Sequence, residues 1–142
     1  MNSERIEQLK ESFERSKMMA EWGAVLRHIS PGSTEIILQK KEFMARPAGM
    51  FNGGIIAALV DTASGYAAAS SKAIDSYFVT VELKVNYLNP ASGDFLLAKA
   101  EVIKNGKVIS VVRTDIYAVK DDQQVHAATS LVTMMQLRNK NK

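Results

Sequence analysis

The stretch from Ile55 to Ala69 limits what this chain can fold into more than any other. Its apolar residues fall on every side of a helix, and Ala57, Ala58, Ala63, Ala67, Ala68 and Ala69 keep that helix thin. A helix apolar all round is expected to be buried all round, with neighbouring backbone able to come close to its alanines. Something must therefore wrap it.

The remainder of the chain reads as the wrapping. Tyr77, Val79, Val81, Leu83, Val85 and Tyr87 alternate with Thr80, Glu82, Lys84 and Asn86, the pattern of a half-buried strand. Phe95–Lys104, Lys107–Val119 and Val125–Met135 continue as strands, separated by Asn105-Gly106 and by "KDDQQ". These four strands read as an antiparallel meander. Upstream, Ala24–Ile29 and Thr34–Gln39 flank "SPGS", a hairpin signal. From Ser3 to about Ala20, Ile6, Leu9, Phe13 and Ala20 recur at helical spacing, with Ser3 as the expected cap. The order predicts an α+β architecture, an antiparallel sheet wrapped around a long central helix with an extra N-terminal helix.

At 142 residues a single domain is expected, with a helix over about 3–20, a core over about 21–136 and a basic tail over 137–142. The net charge of +3 is modest and falls partly in the tail "RNKNK", so nucleic acid is not an expected partner. With no cysteine, disulfides, thiolate metal sites and a cysteine nucleophile are excluded. The opening "MNSERIEQLKE" is too charged for a secretory signal, and no run approaches the roughly 20 apolar residues of a membrane span. A cytoplasmic protein is expected.

Chemistry concentrates in "MFNGGIIAALVDTASGYAA". Gly53-Gly54 serves a loop-to-helix transition or close packing on the structural reading. On the functional reading it leaves the unpartnered N–H groups of a helix start open to a substrate carbonyl, at the positive end of the helix dipole. Asp61 is either a structural acid bonded to backbone or a neighbouring hydroxyl, or a base or nucleophile at the wall of a dry cleft. Gly53 and Asp61 are eight residues apart, about 12 Å along a helix. One helix can hardly aim both at one carbonyl. Two antiparallel copies can, which points to a two-fold dimer with composite sites. Ser64, one turn beyond Asp61, is placed to bond the carboxylate. His28 and His126 lack the spacing of a metal site. Met44, Met50, Phe51, Tyr66 and Phe78 could line an apolar pocket, but such residues around a helix start are more often core, and no role is assigned to them.

Residues of about 20 to 135 resemble the hotdog-fold acyl-CoA thioesterases of the phenylacetate-degradation (PaaI-like) group. The resemblance rests on "RPAGMFNGGIIAALVDTASGYAA", "TVELKVNYLNPASGD" and "NGKVISVVRTDIYA". It implies hydrolysis of an acyl-CoA thioester by a dimer whose sheets join edge to edge; in the family such dimers often pair into tetramers, and dimer against tetramer stays open here. No cofactor or metal is implied. Gly53 matches the family's oxyanion donor and Asp61 its catalytic carboxylate, supplied by the other subunit. Asn52 stands where the family motif usually has His; it can donate a hydrogen bond to a carbonyl but cannot take up a proton. Gly54 and Arg46 are candidate substrate contacts, Arg46 lying where relatives often carry Asn or Gln. Thr80 matches a Ser or Thr that holds water in some relatives, yet strand alternation puts it with Glu82 and Lys84, away from the apolar face. The alternative is a dimer that binds acyl-CoA without hydrolysing it.

Overall fold

The computed structural model describes residues 2–138. The N-terminal helix is two helices, α1 (Asn2–Arg15) and α2 (Lys17–Trp22). The break falls at Ser16, whose extended backbone and side chain cap α2 by accepting from the Met19 N–H at 3.3 Å. Serine competes for backbone hydrogen bonds in this way and so favours caps over helix interiors. Ser3 lies inside α1 rather than before it. Leu9 and Phe13 are buried as their spacing predicts, whereas Ala20 is exposed.

β1 (Val25–Ser30) and β2 (Ser33–Gln39) form the expected hairpin, turned by Pro31 and by Gly32 at φ 81°. A short 3-10 turn (Glu42–Met44) leads to α3 (Gly53–Ser70), the central helix. β3 (Ser76–Tyr87), β4 (Phe95–Asn105), β5 (Ile109–Lys120) and β6 (Gln123–Arg138) follow, and all six strands form one antiparallel sheet. Its order is β1-β2-β4-β5-β6-β3. The expected four-strand meander is therefore corrected: β4, β5 and β6 are a meander, but β3 crosses to the far edge beside β6. Period-2 alternation reports that a segment is a strand and says nothing of its partner. The basic tail is also later than expected, because Leu137 and Arg138 belong to β6; 139–142 lie outside the described residues.

The concave face of the sheet holds α3. Ile36, Leu38, Leu96, Ala98, Val112, Ile116 and Val132 close on Leu59, Val60, Ala63 and Ala67, all of them fully buried. Each large aliphatic side chain so buried contributes about 1.5–3 kcal/mol. α1 lies against α3 and β1, with Phe13 edge-on to Tyr66 at a centroid distance of 5.5 Å. The expectation that α3 is buried all round needs correction. Ala57, Ala58, Asp61, Thr62 and Gly65 lie half-buried along one stripe, where neither sheet nor α1 fully covers the helix.

Candidate active site

The loop before α3 sets the helix start. Arg46 and Met50 close a tight turn through the Arg46 N–H to the Met50 carbonyl at 2.7 Å, with Gly49 at φ 91°. The Asn52 N–H then donates to the Met44 carbonyl at 2.7 Å. Asn52 is the N-cap of α3, and its Oδ1 accepts from the Gly54 N–H at 2.8 Å. Asparagine is among the preferred residues for this task because it satisfies one of the orphan donors. The Gly54 N–H is thereby occupied. The Gly53 N–H and the Asn52 side-chain NH2 keep no protein partner among the described residues. Both donors stand at the positive end of the α3 dipole.

Gly53 packs against Tyr87. A β-carbon there would lie 3.4 Å from the Tyr87 ring, and the Tyr87 hydroxyl donates to the Gly53 carbonyl at 2.7 Å. Tyr87, which the sequence reading assigned only to the strand, thus braces the helix start. Arg46, Asn52, Gly53, Gly54 and Tyr87 share a cavity of about 620 Å³. Arg46 is exposed there, and its side chain has no ion-pair or hydrogen-bond partner among the described residues.

Asp61 lies elsewhere. It lines a second cavity, of about 480 Å³, with Gly65, Tyr66, Phe78, Thr80 and the α1 residues Leu9 and Ser12. Thr80 Oγ1 donates to Asp61 Oδ1 at 2.6 Å. That contact corrects the expected orientation of Thr80. Thr80 pairs with Met134 and Glu82 with Thr133, so Val81 is an extra residue in a β-bulge. One inserted residue reverses which side chains face inward. Phe78 before the bulge and Leu83 and Val85 after it pack on the core, while Tyr77, Val79 and Val81 are 50%, 40% and 57% exposed.

Other candidates sort clearly. Ser64 does not reach Asp61; it is fully buried and bonds Thr114 Oγ1 at 2.7 Å. Met44 and Phe51 are core, whereas Tyr66 and Phe78 also line the Asp61 cavity. His28 bonds Ser30 on the surface, and His126 bonds Asp115 at 2.9 Å while stacking on Tyr117. Among the described residues no group of three or more His, Cys, Asp or Glu side chains converges.

Arg5 was missed altogether. It is 5% exposed and spends its guanidinium on the carbonyls of Ala69 (3.0 Å), Ile74 (3.2 Å) and Ser76 (2.9 Å), on Ser76 Oγ and on Gln8. Burial holds its pKa below the ordinary arginine value, with Asp75 opposing that shift. A signal was available, since Arg5 stands at i−4 from Leu9 and i−8 from Phe13, on the stripe that α1 buries.

Comparison with known proteins places this geometry among relatives. The profile of the thioesterase superfamily matches residues 48–125, which include Asn52, Gly53, Asp61 and Thr80. A thioesterase family protein of known structure from Silicibacter pomeroyi is 33% identical, with a TM-score of 0.92 over 95% of this chain and 99% of that one. The Escherichia coli PaaI protein, from the phenylacetic acid degradation operon, has a TM-score of 0.84 at 21% identity, covering 96% of this chain and 95% of its own. In sequence, the medium/long-chain acyl-CoA thioesterase YigI of Escherichia coli is 24% identical over 99 residues, 61% of this chain and 62% of YigI. A Halobacterium salinarum relative, provisionally named an esterase, is 39% identical over 75 residues, 51% of this chain, and the chain spans 49% of its length.

Proposed function

The chain belongs to the thioesterase superfamily, and from that premise we propose that it hydrolyses an acyl-CoA thioester to the free acid and CoA. One observation carries the reading. Two open donors at the start of α3 and a carboxylate held by Thr80 sit on one helix but line separate cavities. Eight residues, about 12 Å, part them. A second copy related by a two-fold axis would set the Gly53 end of one α3 opposite the Asp61 of the other, giving two composite sites. β3 is a sheet edge, so its unpaired backbone groups offer the seam along which two sheets would join.

In that composite the thioester carbonyl oxygen accepts from the Gly53 N–H and the Asn52 NH2, which stabilise the negative charge that builds on it. Asp61 either takes a proton from water as the water oxygen adds to the carbonyl carbon, or adds to that carbon itself. In the first course the tetrahedral intermediate collapses, the carbon–sulfur bond breaks, and the CoA thiolate recovers the proton. In the second, CoA leaves first and water then cleaves the mixed anhydride. Thr80, by donating to Oδ1, fixes the carboxylate and leaves Oδ2 for the reaction. Asn52 suits this chemistry because no step asks position 52 to accept a proton. The relation to YigI favours a CoA ester as substrate.

The test is CoA release from short, medium, long and aromatic acyl-CoAs, with wild type beside Asp61→Ala and with the mass in solution measured on the same samples. Turnover in the wild type and its collapse in the variant are expected, from a particle of at least two chains. Tight binding of acyl-CoA without turnover in either protein would shift the assignment to a carrier or sensor. An Asp61→Ala enzyme of near-normal turnover would overturn the role given to Asp61.

A further inference from the structure

Tyr87 is 53% exposed, yet its hydroxyl is committed to the start of α3. It stands at the end of β3, opposite Ala128 of β6. The next two residues tie that end down. The Leu88 N–H donates to the Ala127 carbonyl at 2.8 Å, and Asn89 Nδ2 donates to the His126 carbonyl at 2.9 Å. From this fixed base the Tyr87 hydroxyl donates to the Gly53 carbonyl at 2.7 Å. Stability does not account for the bond, since a hydrogen bond open to water exchanges one partner for another at little net gain.

The bond belongs to a chain of amides. The Gly53 carbonyl and the Gly54 N–H are the two ends of one peptide group, in which electron density drawn to the oxygen makes the N–H a stronger donor. That N–H donates to Asn52 Oδ1 at 2.8 Å. The Asn52 side chain is a second amide, polarised in the same sense. One planar group thus offers the acceptor for Gly54 and, in its NH2, a donor beyond it. The order is Tyr87 hydroxyl, Gly53-Gly54 peptide, Asn52 amide, and then the oxygen that Asn52 meets. The Gly53 N–H is served separately, because the carbonyl of its own peptide, that of Asn52, accepts from the Ile55 and Ile56 N–H groups at 3.1 and 3.3 Å. The helix polarises one donor of the pair and Tyr87 the other.

We propose that Tyr87 is a positioning residue for the thioester reaction, acting through Asn52 by orienting its amide and strengthening it as the second oxyanion donor. This rests on the thioester reading. Both bonds of the chain are open to water in the single protomer. A bound thioester displaces that water, and each bond then gains strength. Tyr87 therefore matters to turnover and little to folding.

Tyr87→Phe tests the assignment, because it keeps the ring and removes the donor. It is compared with Asn52→Gly, which leaves a residue tolerated at an N-cap but no amide, and with the double variant. The kinetics are taken per folded molecule on the same acyl-CoA panel. Tyr87→Phe should melt within a few degrees of wild type and hold its KM, while kcat falls about tenfold, the scale of one hydrogen bond. In the Asn52→Gly background the same substitution should cost less than about twofold, since the chain has lost its far end. A second readout needs no substrate. In the NMR spectrum of the assembled, isotope-labelled protein, the Gly54 amide proton should move upfield in Tyr87→Phe as its bond to Asn52 weakens. Should the wild type hydrolyse none of the panel, the hydrolase reading fails, and the Gly54 proton alone judges the chain of amides. An unmoved Gly54 proton, an unchanged kcat, or a raised KM at constant kcat would overturn the role of Tyr87. So would equal losses with and without the Asn52 amide, since Tyr87 would then only brace the helix start.

Discussion

One face of α3 is sealed against the sheet, while the other stands half-open. On the sealed face, Ile56, Leu59, Val60, Ala63 and Ala67 are buried among Ile36, Leu96, Val112 and Val132. On the open face, Ala57, Ala58, Asp61, Thr62 and Gly65 keep contact with the surrounding space, and Gly54 is exposed. Both faces are built mainly from small or apolar residues. They differ in what lies across from them: a filled sheet on one side, cavities on the other. The contrast suggests a division of labour within one helix, in which the sealed face supplies folding energy and the open face keeps room for a ligand.

The division breaks if substitutions on the two faces behave alike. The largest effect is expected at Asp61. Asp61→Ala should lower kcat at least 100-fold, the scale on which a group that meets the transition state acts. Its Tm should stay within a few degrees of wild type, because among the described residues its side chain has one hydrogen bond, the one from Thr80. Leu59→Ala is the converse. It leaves a cavity in a site of zero exposure, at a cost of about 2–5 kcal/mol. Thermal melts and turnover per folded molecule separate the two cases. If Asp61→Ala unfolds as readily as Leu59→Ala, the faces are not divided as described.

This distinction also explains what could be read from the sequence. The wrapped helix, the hairpin at Pro31-Gly32 and the strands were legible because spacing and turn residues report local structure. Gly53 and Asp61 stood out because a glycine pair and a carboxylate in an apolar run are chemically conspicuous. The two faces of α3 were not legible, since alanine carries no mark of whether its neighbour is a packed sheet or a cavity. Nor was the inward turn of Thr80. Its strand alternates without fault, and the bulge at Val81 has no signature in a pattern of period two. The pairing of β3 with β6 was hidden for a related reason, as partner choice depends on the whole sheet.

Arg5 sharpens the comparison at the C-terminal end of α3, where stability and pocket meet. Arg5→Met keeps the aliphatic stem but removes a donor from the carbonyls of Ala69, Ile74 and Ser76, of which Ala69 keeps the Lys72 N–H at 3.1 Å. A buried acceptor left unsatisfied costs about 1–3 kcal/mol, and less applies to exposed Ile74 and to Ala69 with its second donor. A net loss of about 2 kcal/mol is expected. Hydrogen exchange should show faster opening of α1 before any change in β4 or β5. An unchanged melt with unaltered exchange in α1 would mean that the helix is held by Leu9 and Phe13 alone.

The smallest effect expected is at Thr80, and it bears most directly on how the open face works. Its hydroxyl donates to Asp61 Oδ1 at 2.6 Å, yet the residue itself is exposed in the protomer and packs little. Thr80→Val preserves shape and removes the donor. If the bond only tethers a surface carboxylate, neither stability nor turnover should change, since exposed polar contacts are weak. If it fixes the carboxylate for reaction, kcat should fall about tenfold, the equivalent of one charge-assisted hydrogen bond at the low end of its range. KM should hold, because the hydroxyl acts through Asp61 and not on the ligand. Thr80→Ser, which restores the donor without the methyl, should recover most of that loss. Recovery by Ser would assign the effect to the hydroxyl; a Ser variant as slow as Val would assign it to the β-branched shape that holds β3 beside its bulge. The same pair of variants in an Asp61→Ala background should then differ little from each other, since a donor without its carboxylate has nothing left to position.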